Sequence, residues 1–181
     1  MHLILDMDNT LIDNMGNLRP YLEEFFIYIF YNFQTVSIWT NAKLEYYNKM
    51  YETIFKNIIP EDKQFYFVYT RSKTVNQQIK DREHFYHPIA FKTIKPLKKV
   101  FRAFKLLNKY NTLIIDDKPC TFCRNYGNGI RVSEFNNNNK YDTELKDLIL
   151  YFEKTDILKT ENVRTIEKRY WNETIEKKIS E

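Results

Sequence analysis

Two short apolar runs, each closed by a pair of acids, decide the reading of this chain: Leu3-Ile4-Leu5-Asp6-Met7-Asp8 and Leu113-Ile114-Ile115-Asp116-Asp117. A short continuous apolar run reads as a strand buried on both faces. In open α/β sheets, ligands bind in the crevice beyond the strand C-termini. If both strands are central, four carboxylates converge there. Two like charges ~4 Å apart repel by about 4 kcal/mol at an effective dielectric of 20, so such a cluster needs a cation. A hard, oxygen-preferring ion fits best, and Mg²⁺ typically takes a couple of carboxylates, waters and a substrate phosphate oxygen. One acid pair alone reads equally well as helix caps and turn formers. Two pairs, each directly after a hydrophobic strand, favour a site.

Working outward, strand-like and helix-like segments alternate, as in βαβ units around a parallel sheet. His2–Leu5, Thr35–Trp39, Thr112–Ile115 and Ile130–Val132 read as its strands. Arg19-Pro20 reads as a helix start with Pro in the first turn, where a missing N–H costs nothing, and Leu22, Phe25, Phe26 and Ile29 follow at helical spacing. Lys43–Phe55, Leu97–Leu107 and Asp142–Phe152 are further predicted helices. Gln64–Tyr69 is strand-like and aromatic, and the stretch to Thr93 lacks helical periodicity. A small β insertion, an antiparallel hairpin, is therefore expected around residues 62–93. Its aromatics (Phe65, Tyr66, Phe67, Tyr69, Phe85, Tyr86) suit either a small core of their own or a groove for an extended peptide. From about residue 160 to 181 the chain is charge-rich with weak apolar spacing, which suggests a surface helix or fraying tail. The fold class expected is α/β, a Rossmann-like parallel sheet flanked by helices, in a single domain over residues 1–181.

Composition agrees. The usual scale of roughly 100–200 residues per domain fits 181 residues as one unit. Aromatics at 17% exclude disorder of the whole chain. The most apolar stretch, Phe25–Phe33, is broken by Asn32 and falls short of the ~20 residues a spanning helix needs, so no membrane partner is expected. A net charge of +4 permits an acidic or phosphorylated partner and gives direct nucleic-acid binding little support. With two cysteines close in sequence and no secretory signal, a reducing, cytoplasmic or nuclear setting is expected.

Other residues carry weaker signals. Thr40-Asn41 closes the strand Val36–Trp39; a hydroxyl there suits a phosphoryl oxygen, although Thr-Asn is first of all an ordinary N-cap. Lys95, before the Leu97 helix, could neutralise phosphate, although a lone Lys is usually solvated. The three glycines, Gly16, Gly127 and Gly129, form no phosphate-cradling loop. Cys120 and Cys123 with His84 and His87 have the ligand types of a zinc site, but their order matches no common module. Core cysteines and surface histidines are the preferred reading.

In order and spacing, these pieces resemble the haloacid dehalogenase superfamily. Asp6-Met7-Asp8-Asn9-Thr10 resembles its DxDx(T/V) signature, Thr40 its second motif, Lys95 its third and Asp116-Asp117 its acidic fourth. Arg19-Pro20-Tyr21-Leu22-Glu23-Glu24-Phe25 and Ile38-Trp39-Thr40-Asn41-Ala42 are similar to segments of the small, single-domain RNA polymerase II C-terminal-domain phosphatases. So is Asp142-Thr143-Glu144-Leu145-Lys146-Asp147-Leu148, and Arg82 falls in a stretch like their insertion. The chain departs from that group in carrying Asn9 for Glu and Asp-Asp in the fourth motif.

The resemblance implies a Mg²⁺-dependent phosphatase acting on phosphoserine in a peptide such as the polymerase tail repeat. Asp6 would be the nucleophile that forms an aspartyl-phosphate, and Asp8 the general acid and base. Mg²⁺ would sit between the Asp6 carboxylate, the Asp8 backbone carbonyl and Asp117. Asp116 would orient Lys95, and Thr10 would brace the first loop. Thr40, Asn41 and Lys95 would hold phosphoryl oxygens, with Arg82 reading a second charge on the substrate. A small-molecule phosphatase and a non-catalytic binding module on the same fold are the alternatives.

Overall fold

The computed structural model describes residues 1–80, 89–139 and 141–173. Five strands form one parallel sheet in the order β3-β2-β1-β6-β7. They are β1 (His2–Leu5), β2 (Thr35–Trp39), β3 (Val68–Tyr69), β6 (Thr112–Asp116) and β7 (Gly129–Arg131). A separate antiparallel pair joins β4 (Val75–Lys80) to β5 (Ile89–Ile94). The helices are α1 (Leu22–Asn32), α2 (Leu44–Met50), α3 (Lys56–Ile58), α4 (Lys98–Ala103) and α5 (Glu144–Lys154), with a π-helical turn, Tyr51–Phe55, linking α2 to α3. This is the expected Rossmann-like α/β arrangement with its small antiparallel unit. Among the described residues no helix is long and apolar enough to cross a membrane.

The two-residue period of a strand explains how apolar runs are buried on both sides. Leu3, Leu5, Val36, Ile38, Leu113 and Ile115 join the core cluster that takes the apolar faces of α1 and α5. Ile4, Trp39 and Ile114 belong to the second cluster, with Leu97, Val100 and Phe122. Leu22, Phe25, Phe26, Ile29 and Phe30 are the buried stripe of α1. Leu145, Leu148, Tyr151 and Phe152 play the same part in α5.

Four expectations are corrected. The insertion begins later than residue 62: Val68–Tyr69 pairs with Ile38–Trp39 as an edge strand of the main sheet, and the antiparallel pair is Val75–Lys80 with Ile89–Ile94. The aromatics before it therefore pack the central layers. Phe65 lies 5.6 Å from Phe30 between ring centroids, and Phe67 stacks on Phe104 at 4.7 Å. Phe85 and Tyr86 lie outside the described residues. Pro20 stands before α1, not within its first turn, because Tyr21 takes a left-handed φ of 64° between Arg19 and the helix. Finally, the chain after Lys159 is docked as far as Trp171. Val163 and Trp171 are buried, the Trp171 indole N–H donates to the Arg131 carbonyl at 2.7 Å, and its ring meets Tyr151.

His2 gives this fold a pH dependence. It is buried at the start of β1, with Nδ1 2.9 Å from Thr35 Oγ1. Burial, helped by the N-terminal ammonium, pushes its imidazole down to about 4. An unfolded His protonates near 6.5. Between about pH 6.5 and 4 the unfolded chain therefore binds more protons than the folded one, and stability falls as pH falls through that window. The thermal midpoint should drop more steeply between about pH 7 and 4.5 for the wild type than for His2→Gln. Parallel pH profiles would contradict this.

Candidate active site

The parallel register lines up the strand ends. Leu5 is paired with Ile38 and Ile115, so Asp6, Thr40 and Asp116 leave neighbouring strands at nearly one level. The Asp6 N–H donates to the Ile115 carbonyl at 2.9 Å and the Thr40 N–H to the Tyr69 carbonyl at 2.9 Å, which carries strand geometry into the loops. Lys95, between β5 and α4, is fixed by its backbone: its N–H donates to the Thr121 carbonyl and its carbonyl accepts from Asn125. Its ammonium is 1% exposed and lies 2.5 Å from Asp6 Oδ1 and 2.6 Å from Asp116 Oδ2.

The acids are differently committed. Asp116 has both oxygens occupied, Oδ2 by Lys95 and Oδ1 by the Lys118 N–H at 2.9 Å. Asp117 Oδ1 is buried and has no hydrogen-bond partner. Asp6, Asp116 and Asp117 offer carboxylate oxygens within 4.8 Å of one another. An orphaned buried carboxylate oxygen beside two more acids is a donor set that fits a hard divalent cation. Asp8 stands outside this cluster, half-buried, and accepts a hydrogen bond from the Thr40 hydroxyl at 3.1 Å. Thr40 Oγ1 in turn accepts from the Ala42 N–H, so the capping geometry and the contact with Asp8 coexist.

Burial and crowding set the protonation. Burial, with the charges of Asp116 and Asp117, pushes the Asp6 carboxyl up to about 8 against the pull of Lys95. Asp8 is also raised, chiefly by burial, with the Thr40 hydrogen bond opposing. Asp117 is raised by burial and by Asp116. Burial works against the Lys95 charge, but Asp116 and Asp6 outweigh it and hold the ammonium above its ordinary value.

Two supports stand behind these groups. Thr10 is fully buried and its hydroxyl accepts the Asp117 N–H at 3.2 Å. The Thr10 carbonyl accepts from Arg19, whose buried guanidinium also forms a two-pronged pair with Asp142 at 3.0 and 2.9 Å. Asn9 sits at φ 61°, a conformation Asn tolerates better than most residues with a Cβ. Its amide reaches Glu134, and its carbonyl accepts the Phe135 N–H.

A cleft of about 680 Å³ opens over the acids, lined also by Asn41, Lys43, Tyr46, Arg71, Lys92 and Lys118. Arg71 was not foreseen. It lies two residues beyond β3 as Asn41 lies two beyond β2, and its Nε donates to the Asn41 carbonyl at 2.9 Å. Its strand-end position follows only once Val68–Tyr69 is placed in the main sheet. Arg82, His84 and His87 lie outside the described residues. Cys120 is half-buried in the cleft wall and Cys123 is exposed, so neither is a core cysteine. Among the described residues the metal-competent cluster contains no cysteine.

Of the solved structures, one similar chain is the core domain of a proposed phosphoglycolate phosphatase from Streptococcus pneumoniae (18% identity, TM-score 0.49, 86% of this chain and 96% of that one). Another is the fission yeast RNA polymerase II CTD phosphatase Fcp1 bound to beryllium fluoride (16% identity, TM-score 0.49). That alignment covers 99% of this chain and 61% of the yeast one. No curated protein sequence matches. A family model for NLI interacting factor-like phosphatases matches residues 1–164, nearly the whole described chain. The chain belongs to the NLI interacting factor-like phosphatase family, within the haloacid dehalogenase superfamily of hydrolases.

Proposed function

We propose that this chain is a Mg²⁺-dependent phosphoprotein phosphatase that hydrolyses phosphoserine in an extended peptide, of the kind found in the RNA polymerase II C-terminal repeat, through an aspartyl-phosphate on Asp6. The observation that carries it is the division of labour among the acids. Asp6 is held by Lys95, Asp8 stands two residues on at Thr40, and Asp117 keeps an unpartnered oxygen.

Phosphoryl transfer needs positioning and stabilisation of spread negative charge. Lys95 fixes Asp6 Oδ1 before substrate arrives. The carboxylate attacks phosphorus as the bond to the serine oxygen breaks, and Asp8 gives that oxygen its proton. Burial, by raising Asp8, favours the protonated form this step requires. Asp8, now ionised, takes a proton from a water that attacks phosphorus, and the bond to Asp6 breaks to release phosphate. Asp6, Asp117 and the Asp8 backbone carbonyl would hold Mg²⁺, which supplies positive charge against the acids and the phosphoryl oxygens. Asp116, with both oxygens engaged, serves to orient Lys95. Thr40, Asn41 and Lys95 hold phosphoryl oxygens, and the cationic rim of Arg71, Lys92 and Lys118 favours a substrate with acidic neighbours.

The test compares a phosphoserine heptad-repeat peptide, a generic aryl phosphate and small sugar phosphates, each with Mg²⁺ and with chelator. Phosphate release that needs Mg²⁺ and favours the peptide is expected; preference for a sugar phosphate would overturn the peptide assignment. Asp8→Asn should lower turnover of the phosphoserine peptide by about 10²–10⁴-fold, the scale of general acid–base catalysis. The loss should be smaller for the aryl phosphate, whose leaving group needs less help from a proton. Equal losses on both would contradict the role given to Asp8.

A further inference from the structure

The loop after Asp117 contributes to two clefts. Lys118, Cys120 and Thr121 line the one over the acids, and Pro119 and Phe122 line a second of about 460 Å³. One wall of this second cleft comes from the 3-10 segment Cys123–Asn128 and β7, and the other from residues 164–170. Its volume lies in the range of small-molecule sites, about 300–1,000 Å³.

Its charge is unbalanced. Lys168 is 5% exposed, and its ammonium donates to the carbonyls of Val163 and Ile166. Those carbonyls satisfy hydrogen bonds but supply no counter-charge; the Glu167 charge favours the ammonium, but that carboxylate is paired with Arg169. Burial, with Glu167 opposing and Arg164 adding to it, pushes the Lys168 ammonium down to about 8. Arg164 is pinned without a carboxylate: it donates to Asn128 Oδ1 at 2.9 Å and lies against Gly127, where a Cβ would stand 3.1 Å from the guanidinium carbon. Arg131 completes the set from β7. Among the described residues no carboxylate forms an ion pair with Arg131, Arg164 or Lys168; Glu167 is paired with Arg169 at 3.1 Å. Beside these cations, the rings of Tyr126 and Tyr170 are more than half exposed and line the same cleft.

Guanidinium groups bind phosphate in two-pronged fashion, and tyrosine rings and Arg planes stack on flat aromatic ligands. We propose that this second cleft binds a nucleoside phosphate, with the phosphate among Arg131, Arg164 and Lys168 and the base against Tyr126 and Tyr170. The site is separate from the catalytic acids. The buried Trp171, whose indole N–H holds the Arg131 carbonyl, reports on its occupancy.

The test titrates the full chain with AMP, inorganic phosphate and adenosine, with chelator present, by calorimetry and tryptophan fluorescence. AMP should bind at least about tenfold more tightly than phosphate or adenosine. Arg131→Ala and Lys168→Met should each weaken AMP about tenfold or more and leave Mg²⁺-dependent aryl phosphate turnover within about twofold. Arg131 is exposed, so its variant keeps the test decisive if Lys168→Met fails to fold. Arg71→Ala, in the catalytic cleft, should leave AMP binding unchanged. Absence of AMP binding, binding no tighter than that of phosphate, or binding lost in Arg71→Ala but kept in Arg131→Ala would each overturn the proposal.

Discussion

Asp6→Asn is expected to lower phosphate release from both aryl phosphate and phosphopeptide by about 10⁴-fold or more, the scale of losing the nucleophile from a catalytic unit. The amide matches the carboxylate in shape but cannot attack phosphorus. The fold should survive the change. Lys95 keeps its partner Asp116 at 2.6 Å, and position 6 no longer adds a negative charge beside Asp116 and Asp117. The sign follows from the Asp6 carboxyl, which burial raises to about 8. A folded value above the unfolded one means that ionising Asp6 works against folding as pH rises from about 4 to 8, and Asn imitates the protonated form. Without Mg²⁺, the thermal midpoint of Asp6→Asn at neutral pH should therefore equal or exceed that of the wild type. Retained turnover would remove Asp6 from the nucleophile role; lost turnover with a lost fold would point to a structural one.

The largest effect on stability is expected at Asp142. Arg19 is 1% exposed and spends three nitrogens on fixed partners, two on Asp142 and one on the Thr10 carbonyl, with Phe135 beneath its guanidinium at 5.5 Å. Asp142→Ala leaves that buried charge with only the long contact to Glu144 at 3.9 Å, a loss of about 3–5 kcal/mol. For a chain of this size that corresponds to about 6–20 °C in thermal midpoint. Activity should fall with it, because the Arg19 contact steadies Thr10, and Thr10 holds the backbone of Asp117. An apolar pair, Arg19→Met with Asp142→Leu, should recover much of the stability, since neither half is left charged. Calorimetry of the three proteins checks this; a shift below about 2 °C for Asp142→Ala would show that water reaches the pair.

What the sequence made legible follows from periodicity. Leu3–Leu5 and Leu113–Ile115 are apolar at every position, which only a strand covered on both faces needs, and the acids behind them are placed by chain continuity alone. Helix α1 shows its stripe for the same reason. Gln64–Tyr69 reads as strand-like, but the two residues of Val68–Tyr69 carry no period that assigns them to the main sheet rather than to the insertion, and the aromatics around them pack both core layers. That misplacement concealed Arg71 as well. The Arg19–Asp142 pair spans 123 residues, so each half was visible as part of a helix start and neither as a partner. Asp116 and Asp117 are equivalent as letters, and in the sequence only the family resemblance gives them different roles; in the structure one carboxylate is occupied and the other keeps a spare oxygen. The docking of Trp171 carries no sequence signal, because it is a single large ring amid charges, held by a β7 carbonyl and by Tyr151.

The most direct measurement is a rapid acid quench of the wild type turning over a labelled phosphopeptide with Mg²⁺, followed by digestion and mass spectrometry of the peptide containing residues 6 and 8. Borohydride reduction of an acyl phosphate marks the carboxylate that carried it. Phosphate on Asp6, reducible by borohydride and absent when chelator replaces Mg²⁺, is the expected result. Full turnover with no trapped phosphate, or phosphate on Asp8 or another residue, would contradict the assignment of Asp6 as the nucleophile.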